Sequence, residues 1–186
     1  MLAAEKLKPL SNRAGLSAAA GDEYLQVYQR ELDYLLATLR RLGVPSHDVE
    51  DVVHDVFLVM YRRWQDYDRN RPLRPWLFSI AYRVWLTHRR KSRREIPTEP
   101  AETHDHAPAP DEVVAAGQTR QLLLRGLTEL PLERRAVLIM HEVDEVPMRE
   151  VAAQLGIPLF TAYSRLRKAR LELEAALGRL QKGPLE

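Results

Sequence analysis

The chain has 186 residues, 45% of them hydrophobic, and its 28 Lys and Arg nearly balance 26 Asp and Glu for a formal charge of +2. It has no cysteine, which excludes disulfides, thiolate zinc sites, iron–sulfur clusters and thiol catalysis. Its longest apolar runs, such as residues 56–61, fall far short of the roughly 20 residues a membrane span needs, and residues 1–21 lack the continuous apolar stretch of a secretory signal. We read residues 1–21 as a frayed tail on a cytoplasmic protein with no membrane insertion.

Helical periodicity follows. Leu25, Tyr28, Leu32, Leu35 and Leu39 recur at spacings of three and four over residues 22–42, and Gly43 with Pro45 ends that helix. Over residues 48–64, Val49, Val53, Val56, Met60 and Trp64 share one face. Pro72 and Pro75 punctuate a loop before a third helix over 76–93, with Leu77, Ile80, Val84 and Trp85 inward. Residues 95–118 hold Pro97, Pro100, Pro108 and Pro110 and six acids without one base. Such a stretch buries too little apolar surface to offset the entropy of ordering, so it reads as an acidic linker. It separates a domain over 22–94 from one over 119–180, followed by a tail at 181–186. The second domain reads as helices over 118–128 and 132–143, with Ala136, Val137, Ile139 and Met140 inward, then 148–155 and a last helix after Pro158. No segment alternates like a strand. The fold class is all-α: two small helical domains joined by an acidic, proline-containing linker.

The last two helices form a helix-turn-helix pattern. Val151, Ala152 and Leu155 face inward, Gly156 suits the left-handed end of a helix, and Ile157 and Pro158 turn the chain. Ala162, Leu166, Ala169 and Leu173 are the inner positions of the second helix. Its outer side carries Phe160, Tyr163, Ser164, Arg167 and Lys168, flanked by Thr161, Arg165 and Arg170. Residues 159–171 hold four bases and no acid. A basic helix of this kind can enter a major groove, with base edges read by its outer side chains and phosphates bound by its cations. An ordinary hairpin with a basic surface is the plainer alternative.

The basic block at 69–94 has nine bases and no acid and a different character. Trp64, Trp76 and Trp85 fall in or beside it, with Tyr67, Phe78 and Tyr82, and Arg69, Arg71, Arg74, Arg83, Arg89 and Arg90 interleave with them. Rings among cations suit unpaired nucleic acid, because exposed bases stack on rings while arginines hold the backbone. Trp64 and Phe78 are assigned to the core; Tyr82, Arg83 and the 67–74 loop are assigned to nucleic acid. Upstream, Asp51, His54 and Asp55 lie at spacings of three and four, on one helix face. A metal phosphohydrolase built on His54 and Asp55 would need more ligands than the other histidines offer at suitable spacing. We expect no catalytic site, metal or cofactor, and read the charged face as a protein-docking surface.

Four motifs stand in order: Asp48-Val49-Glu50-Asp51-Val52-Val53-His54-Asp55-Val56-Phe57-Leu58, Arg74-Pro75-Trp76-Leu77-Phe78-Ser79-Ile80-Ala81, Leu130-Pro131-Leu132-Glu133-Arg134-Arg135-Ala136-Val137-Leu138, and the helix-turn-helix ending Tyr163-Ser164-Arg165-Leu166-Arg167-Lys168-Ala169-Arg170. Together they resemble the alternative sigma factors of bacterial RNA polymerase, of the extracytoplasmic-function group, across residues 22–178. The resemblance implies that Asp51, His54 and Asp55, with Asp48 before them, grip the clamp helices of core RNA polymerase. It places Tyr67, Arg69, Arg71, Arg74, Trp76, Tyr82, Arg83, Arg89 and Arg90 at the minus-ten element, where strands are opened. It places Phe160, Thr161, Tyr163, Ser164, Arg165, Arg167 and Lys168 at the duplex minus-thirty-five element of promoter DNA, with the last domain docked on the polymerase flap. Relatives are commonly held inactive by an anti-sigma factor, so one is expected here. The chain departs from the family pattern at Arg83, where Asn is usual, at Thr87, often Asp, and at Tyr163, frequently basic. Pro147 replaces a Ser or Thr cap, and Glu145 stands where Gly is common. A stand-alone helix-turn-helix regulator is the runner-up, and it leaves the acidic helix unexplained.

Overall fold

The computed structural model describes residues 18–95 and 114–182. The described residues form seven α-helices and no strand. They are α1 (Ala18–Arg41), α2 (Val49–Arg62), α3 (Leu73–Glu95), α4 (Val114–Glu129), α5 (Leu132–Leu138), α6 (Met148–Leu155) and α7 (Leu159–Lys182). Most of the expected linker, including His104 and His106, lies outside the described residues, as does most of the expected N-terminal tail.

Helix ends depart from the sequence expectation where good helix formers extend a pattern. α1 begins at Ala18, inside the stretch expected as tail, and α4 begins at Val114, inside the stretch expected as linker; alanines at both starts favour the helix. α3 begins at Leu73 rather than Trp76, with Pro75 in its first turn. The N–H groups of that turn have no intrahelical partner, so proline removes nothing there. α1 ends as expected, with Gly43 at φ +80° and Val44 N–H donating to the Leu39 carbonyl at 3.0 Å.

The core follows the apolar faces. Tyr28, Leu35 and Leu39 of α1 are buried, as are Val49, Val53, Val56 and Met60 of α2, Trp64 beyond it, and Leu77, Ile80 and Trp85 of α3. Leu25 departs from its face and lies exposed. In the second group, Ala136, Val137, Ile139 and Met140 are buried, and α4, α5 and α6 all pack on α7.

Two features were not expected. The helix over 132–143 is α-helical only to Leu138, then widens into a π-turn at Ile139–Val143. Asp144 N–H reaches back to the Ile139 carbonyl at 3.0 Å. The extra residue brings Asp144 against α1. The two helical groups also share one continuous cluster of buried side chains instead of keeping separate cores. α4 packs on α1, and α6 packs on α3.

Candidate polymerase and nucleic-acid interface

The acidic face of α2 is built as its spacing requires. Burial of Val52, Val53, Val56 and Phe57 turns Asp51, His54 and Asp55 outward together, and all three are exposed. They form one wall of an open groove of about 800 Å³ whose other wall is α3, with Arg83, Thr87, His88 and Lys91. Leu58, Val59, Ile80 and Val84 floor it. The α2 wall is acidic at Asp51 and Asp55 and turns basic at Arg62 and Arg63 at its far end, the α3 wall is basic, and the floor is apolar. Asp48 stands apart at the N-cap of α2, where its side chain makes no capping bond and lies 3.6 Å from His47 Nε2.

The loop between α2 and α3 is held from below by rings. Trp64 is buried, and Tyr67 packs against both Trp64 and Trp76, with centroids 5.7 and 4.9 Å away. Its hydroxyl donates to the Arg71 carbonyl, while Asp68 Oδ1 accepts the Asn70 N–H at 3.0 Å. Trp76 is half-buried, so the sequence reading of it as a DNA contact meets a ring that is largely committed to packing.

Arg69 and Arg71 of the loop, and Arg74 in the first turn of α3, are each engaged by a carboxylate. Arg69 makes a two-pronged pair with Glu23, at 3.2 and 2.9 Å. Arg71 lies 3.5 Å from Asp68. Arg74 donates from Nε to Glu31 at 2.9 Å and covers the Tyr34 ring at 4.8 Å. Glu31 is only 4% exposed. Burial pushes its carboxyl up, and the hydrogen bonds and charges of Arg30 and Arg74 outweigh that and hold it below the usual range. Arg74 thus neutralises a buried carboxylate and joins the start of α3 to α1.

Along α3, Arg89 and Arg90 are exposed and Tyr82 is half-buried. Arg83 donates to Ser79 Oγ at 3.0 Å and, from Nη2, to the Gln154 carbonyl on α6 at 2.8 Å. Desolvation there lowers its pKa, and the nearby Arg63 adds to the effect.

The helix-turn-helix is local chemistry made visible. Gly156 sits at φ +67° with open space where a Cβ would be. Ile157 N–H then returns to the Ala152 carbonyl at 3.0 Å. Pro147 supplies no cap to α6, and Glu145 takes φ +55°, the left-handed conformation that explains why glycine suits the position. Ala162, Leu166 and Ala169 are buried, which turns Phe160, Tyr163, Arg167 and Lys168 outward; Phe160 is 84% exposed. Thr161, Ser164 and Arg165 are half-buried at the rim of that face, and Arg170 is paired with Glu142.

Arg135 was missed by the sequence reading. It is 7% exposed and faces no carboxylate. Nη1 donates to the Leu42 carbonyl at 2.7 Å, and Nη2 to the carbonyls of Thr128 and Leu130 at 2.7 and 2.8 Å. Desolvation, with the nearby Arg89, lowers its pKa to about 10, which leaves it charged at neutral pH. Tyr34 and Asp144 form a second unforeseen pair, the phenol donating to Oδ2 at 2.7 Å. No local signal marks these partners, since they join residues 93 and 110 positions apart.

Among the described residues no group of three or more His, Asp or Glu side chains could hold a metal ion, and no helix is long and apolar enough to cross a membrane.

Comparison with known proteins agrees with this architecture. Residues 27–95 match the family model for sigma-70 region 2, and residues 120–173 match that for sigma-70 region 4. The RNA polymerase sigma factor NccH of Alcaligenes xylosoxydans xylosoxydans is 31% identical over 170 residues, which cover 86% of this chain and 90% of that protein. CnrH of Cupriavidus metallidurans is 28% identical, with the same shares of each chain covered. The sigma-E factor of Escherichia coli is 27% identical over 73% of this chain and 76% of its own. Among solved structures, the sigma factor RpoE from Bartonella quintana, in complex with the anti-sigma factor NepR, superposes with a TM-score of 0.66 at 22% identity, over 84% of this chain and 97% of that one. CnrH in complex with the cytosolic domain of CnrY gives 0.58 at 23% identity, over 95% and 96%. The order of acidic helix, aromatic loop and helix-turn-helix, with two matched regions and a relative above 30% identity, places this chain in the extracytoplasmic-function group of the sigma-70 family, the alternative sigma factors that direct RNA polymerase to promoters.

Proposed function

We propose a division of labour among the three surfaces. The outward acids of α2, Asp51 and Asp55 with His54, dock on the clamp helices of core RNA polymerase. The 67–74 loop and the outer side of α3, with Tyr82, Arg83, Arg89 and Arg90, meet the minus-ten element and assist its opening. Phe160, Tyr163, Arg167 and Lys168 on α7 read the minus-thirty-five duplex while the same domain contacts the polymerase flap. The polymerase performs the catalysis, and this protein, working in the cytoplasm, contributes promoter choice. An anti-sigma factor partner is part of the proposal, supported by the structural neighbour solved with the anti-sigma factor NepR.

One observation carries the reading: the outer face of α7 collects two large rings and two cations with neither acids nor packing partners. Phe160 and Tyr163 lie one helical turn apart, so they form a patch instead of isolated exposed side chains, and such patches mark binding surfaces; cations beside rings suit base edges and phosphates together. The test is transcription by purified core polymerase on a promoter library. Promoter-dependent transcripts are expected only when the protein is added. Tight, specific DNA binding without polymerase, and no transcripts with it, would instead mark a stand-alone regulator.

A further inference from the structure

We propose that Phe160 is a specificity residue: its ring reads the 5-methyl group of a thymine in the minus-thirty-five duplex, so that this protein selects one base of its promoters by an apolar contact. The inference rests on the assignment of α7 to that duplex and names the chemistry it selects there.

Packing elsewhere on the helix fixes where the ring stands. Gly156, at φ +67°, and Pro158 turn the chain into α7, and Ala162 N–H closes the first turn on the Pro158 carbonyl at 3.0 Å. Ala162, Leu166 and Ala169 are buried, which sets the rotation of α7 about its own axis. Phe160 stands two residues before Ala162, about 200° round the helix at 3.6 residues per turn, and so points away from the core. It is 84% exposed, and Tyr163, one turn on, is 54% exposed. The rings of the α2–α3 loop stack on one another, whereas little of the fold covers Phe160. No packing demand explains a phenyl ring at this position.

The chemistry of the groove then narrows what the ring can meet. The N-terminal residues of a recognition helix contact base edges in the major groove, and Phe160 is the second residue of α7. A phenyl ring has no ordinary hydrogen-bond donor or acceptor. Guanine N7 and O6, adenine N7 and N6, and cytosine N4 all present polar atoms to the groove, and a ring laid over one of them removes its water and returns no bond. Thymine presents the groove's apolar group, the 5-methyl. The ring buries that methyl and strands no polar atom. Duplex bases are already stacked on one another, so Phe160 meets an edge and not a face, unlike rings that stack on unpaired bases.

The neighbours of Phe160 give the contact a place in the element. Tyr163 lies one turn on, with its Cβ about 5–6 Å from that of Phe160, which spans one to two base-pair steps of about 3.4 Å. Arg167 lies two turns on along the same stripe, about 10 Å further along the axis. With α7 lying along the groove, that distance is roughly three base-pair steps of about 3.4 Å. The forked donors of Arg167 suit guanine O6 and N7. The thymine read by Phe160 therefore stands at one end of the element, and the bases or phosphates met by Arg167 and Lys168 stand towards the other.

Promoters that the polymerase complex selects from the library supply the probe. Each thymine of the minus-thirty-five element is replaced in turn by deoxyuridine, which removes the methyl and keeps every hydrogen-bonding atom. The affinity of core polymerase with the full-length protein is then measured by competition. One replacement should weaken binding by about fourfold, the factor that burial of one methyl-sized group gives. Phe160→Ala, at a side chain the fold leaves exposed, should bind the thymine and deoxyuridine duplexes equally. Arg167→Ala should bind both more weakly and keep the ratio between them. An element without thymine, or wild-type binding indifferent to deoxyuridine at every thymine, would overturn the methyl contact. A ratio that survives Phe160→Ala would place the ring on the DNA backbone or on a protein partner and would overturn it equally. If the wild-type protein supports no promoter-dependent transcription, the functional assignment fails instead, and the same replacement in the duplex that the protein alone selects from a random pool still decides the methyl contact.

Discussion

The loop with the first turn of α3 and the outer face of α7 both bring rings together with cations, yet the structure uses them differently. Arg69, Arg71 and Arg74 each face a carboxylate, and Tyr67 and Trp76 pack on buried Trp64. Arg167, Lys168, Phe160 and Tyr163 face solvent. The difference lies in the neighbours. α1 and the loop itself place Glu23, Glu31 and Asp68 beneath Arg69, Arg71 and Arg74, whereas residues 159–171 contain no acid and α7 turns this face away from the other helices. A phosphate meeting α7 finds cations already free. A strand meeting the loop must first compete with its ion pairs, and exposed pairs such as Arg69–Glu23 yield at small cost because water and salt screen them.

The largest effect is expected on a third surface, which controls for both. Asp51→Arg with Asp55→Arg should abolish association with core polymerase, since opposed charge at a docked contact costs several kcal/mol. Helicity should be unchanged because both side chains are exposed. Normal co-purification with core polymerase would remove α2 from the docking role and leave the loop and α7 as the only candidate interfaces.

Next in size is the α7 side of the comparison. Arg167→Ala with Lys168→Ala should weaken promoter binding by the polymerase complex about tenfold or more. The slope of log affinity against log salt should fall by about one for each lost phosphate contact. Melting temperature should stay within about a degree, because neither cation has a folding partner. A large drop in stability with unchanged binding would reverse the contrast with the loop.

The loop side inverts that pattern. Arg74→Ala leaves buried Glu31 with Arg30 alone and should cost about 1–2 kcal/mol of stability by denaturant titration, a figure discounted because Arg74 is itself largely exposed. Glu31→Gln in the same background should recover part of the loss. Arg71→Ala should stay within about 0.5 kcal/mol of wild type. The contrast also decides which variants can probe strand opening. A triple alanine change at 69, 71 and 74 would mix a folding defect with a DNA defect. Arg69→Ala with Arg71→Ala isolates the loop's cations, and permanganate reactivity of unpaired thymines should fall while polymerase binding holds. A premelted bubble should restore much of the lost transcription.

The smallest effect sharpens the comparison without touching either surface. Glu145 is held at φ +55°, so Glu145→Gly should stabilise the helix-turn-helix domain by about 0.5–1 kcal/mol. Polymerase and DNA binding should not change. Destabilisation would mean that the Glu145 side chain makes a contact that offsets its backbone strain.

Much of this protein was readable locally. The α6–turn–α7 unit needed only Gly156 at a left-handed cap and the inward positions Val151, Ala152, Ala162 and Leu166, and the acidic face of α2 needed only 3.6-residue periodicity. Helix periodicity and caps act over a few residues, so linear order contains them. Helix starts shifted where alanine extended α1 and α4 and where Pro75 fitted a first turn. Arg69, Arg71 and Arg74 were recognised as a cluster, but their pairing was not, because Glu23 and Glu31 lie 46 and 43 residues from Arg69 and Arg74. The seat of Arg135 on Leu42, the Tyr34–Asp144 pair and the shared core of the two helical groups were legible nowhere in the sequence. Each joins groups brought together only by the packing of whole helices. A buried arginine satisfied by backbone carbonyls has no partner side chain whose type or spacing could betray it, so only the tertiary structure could assign its role.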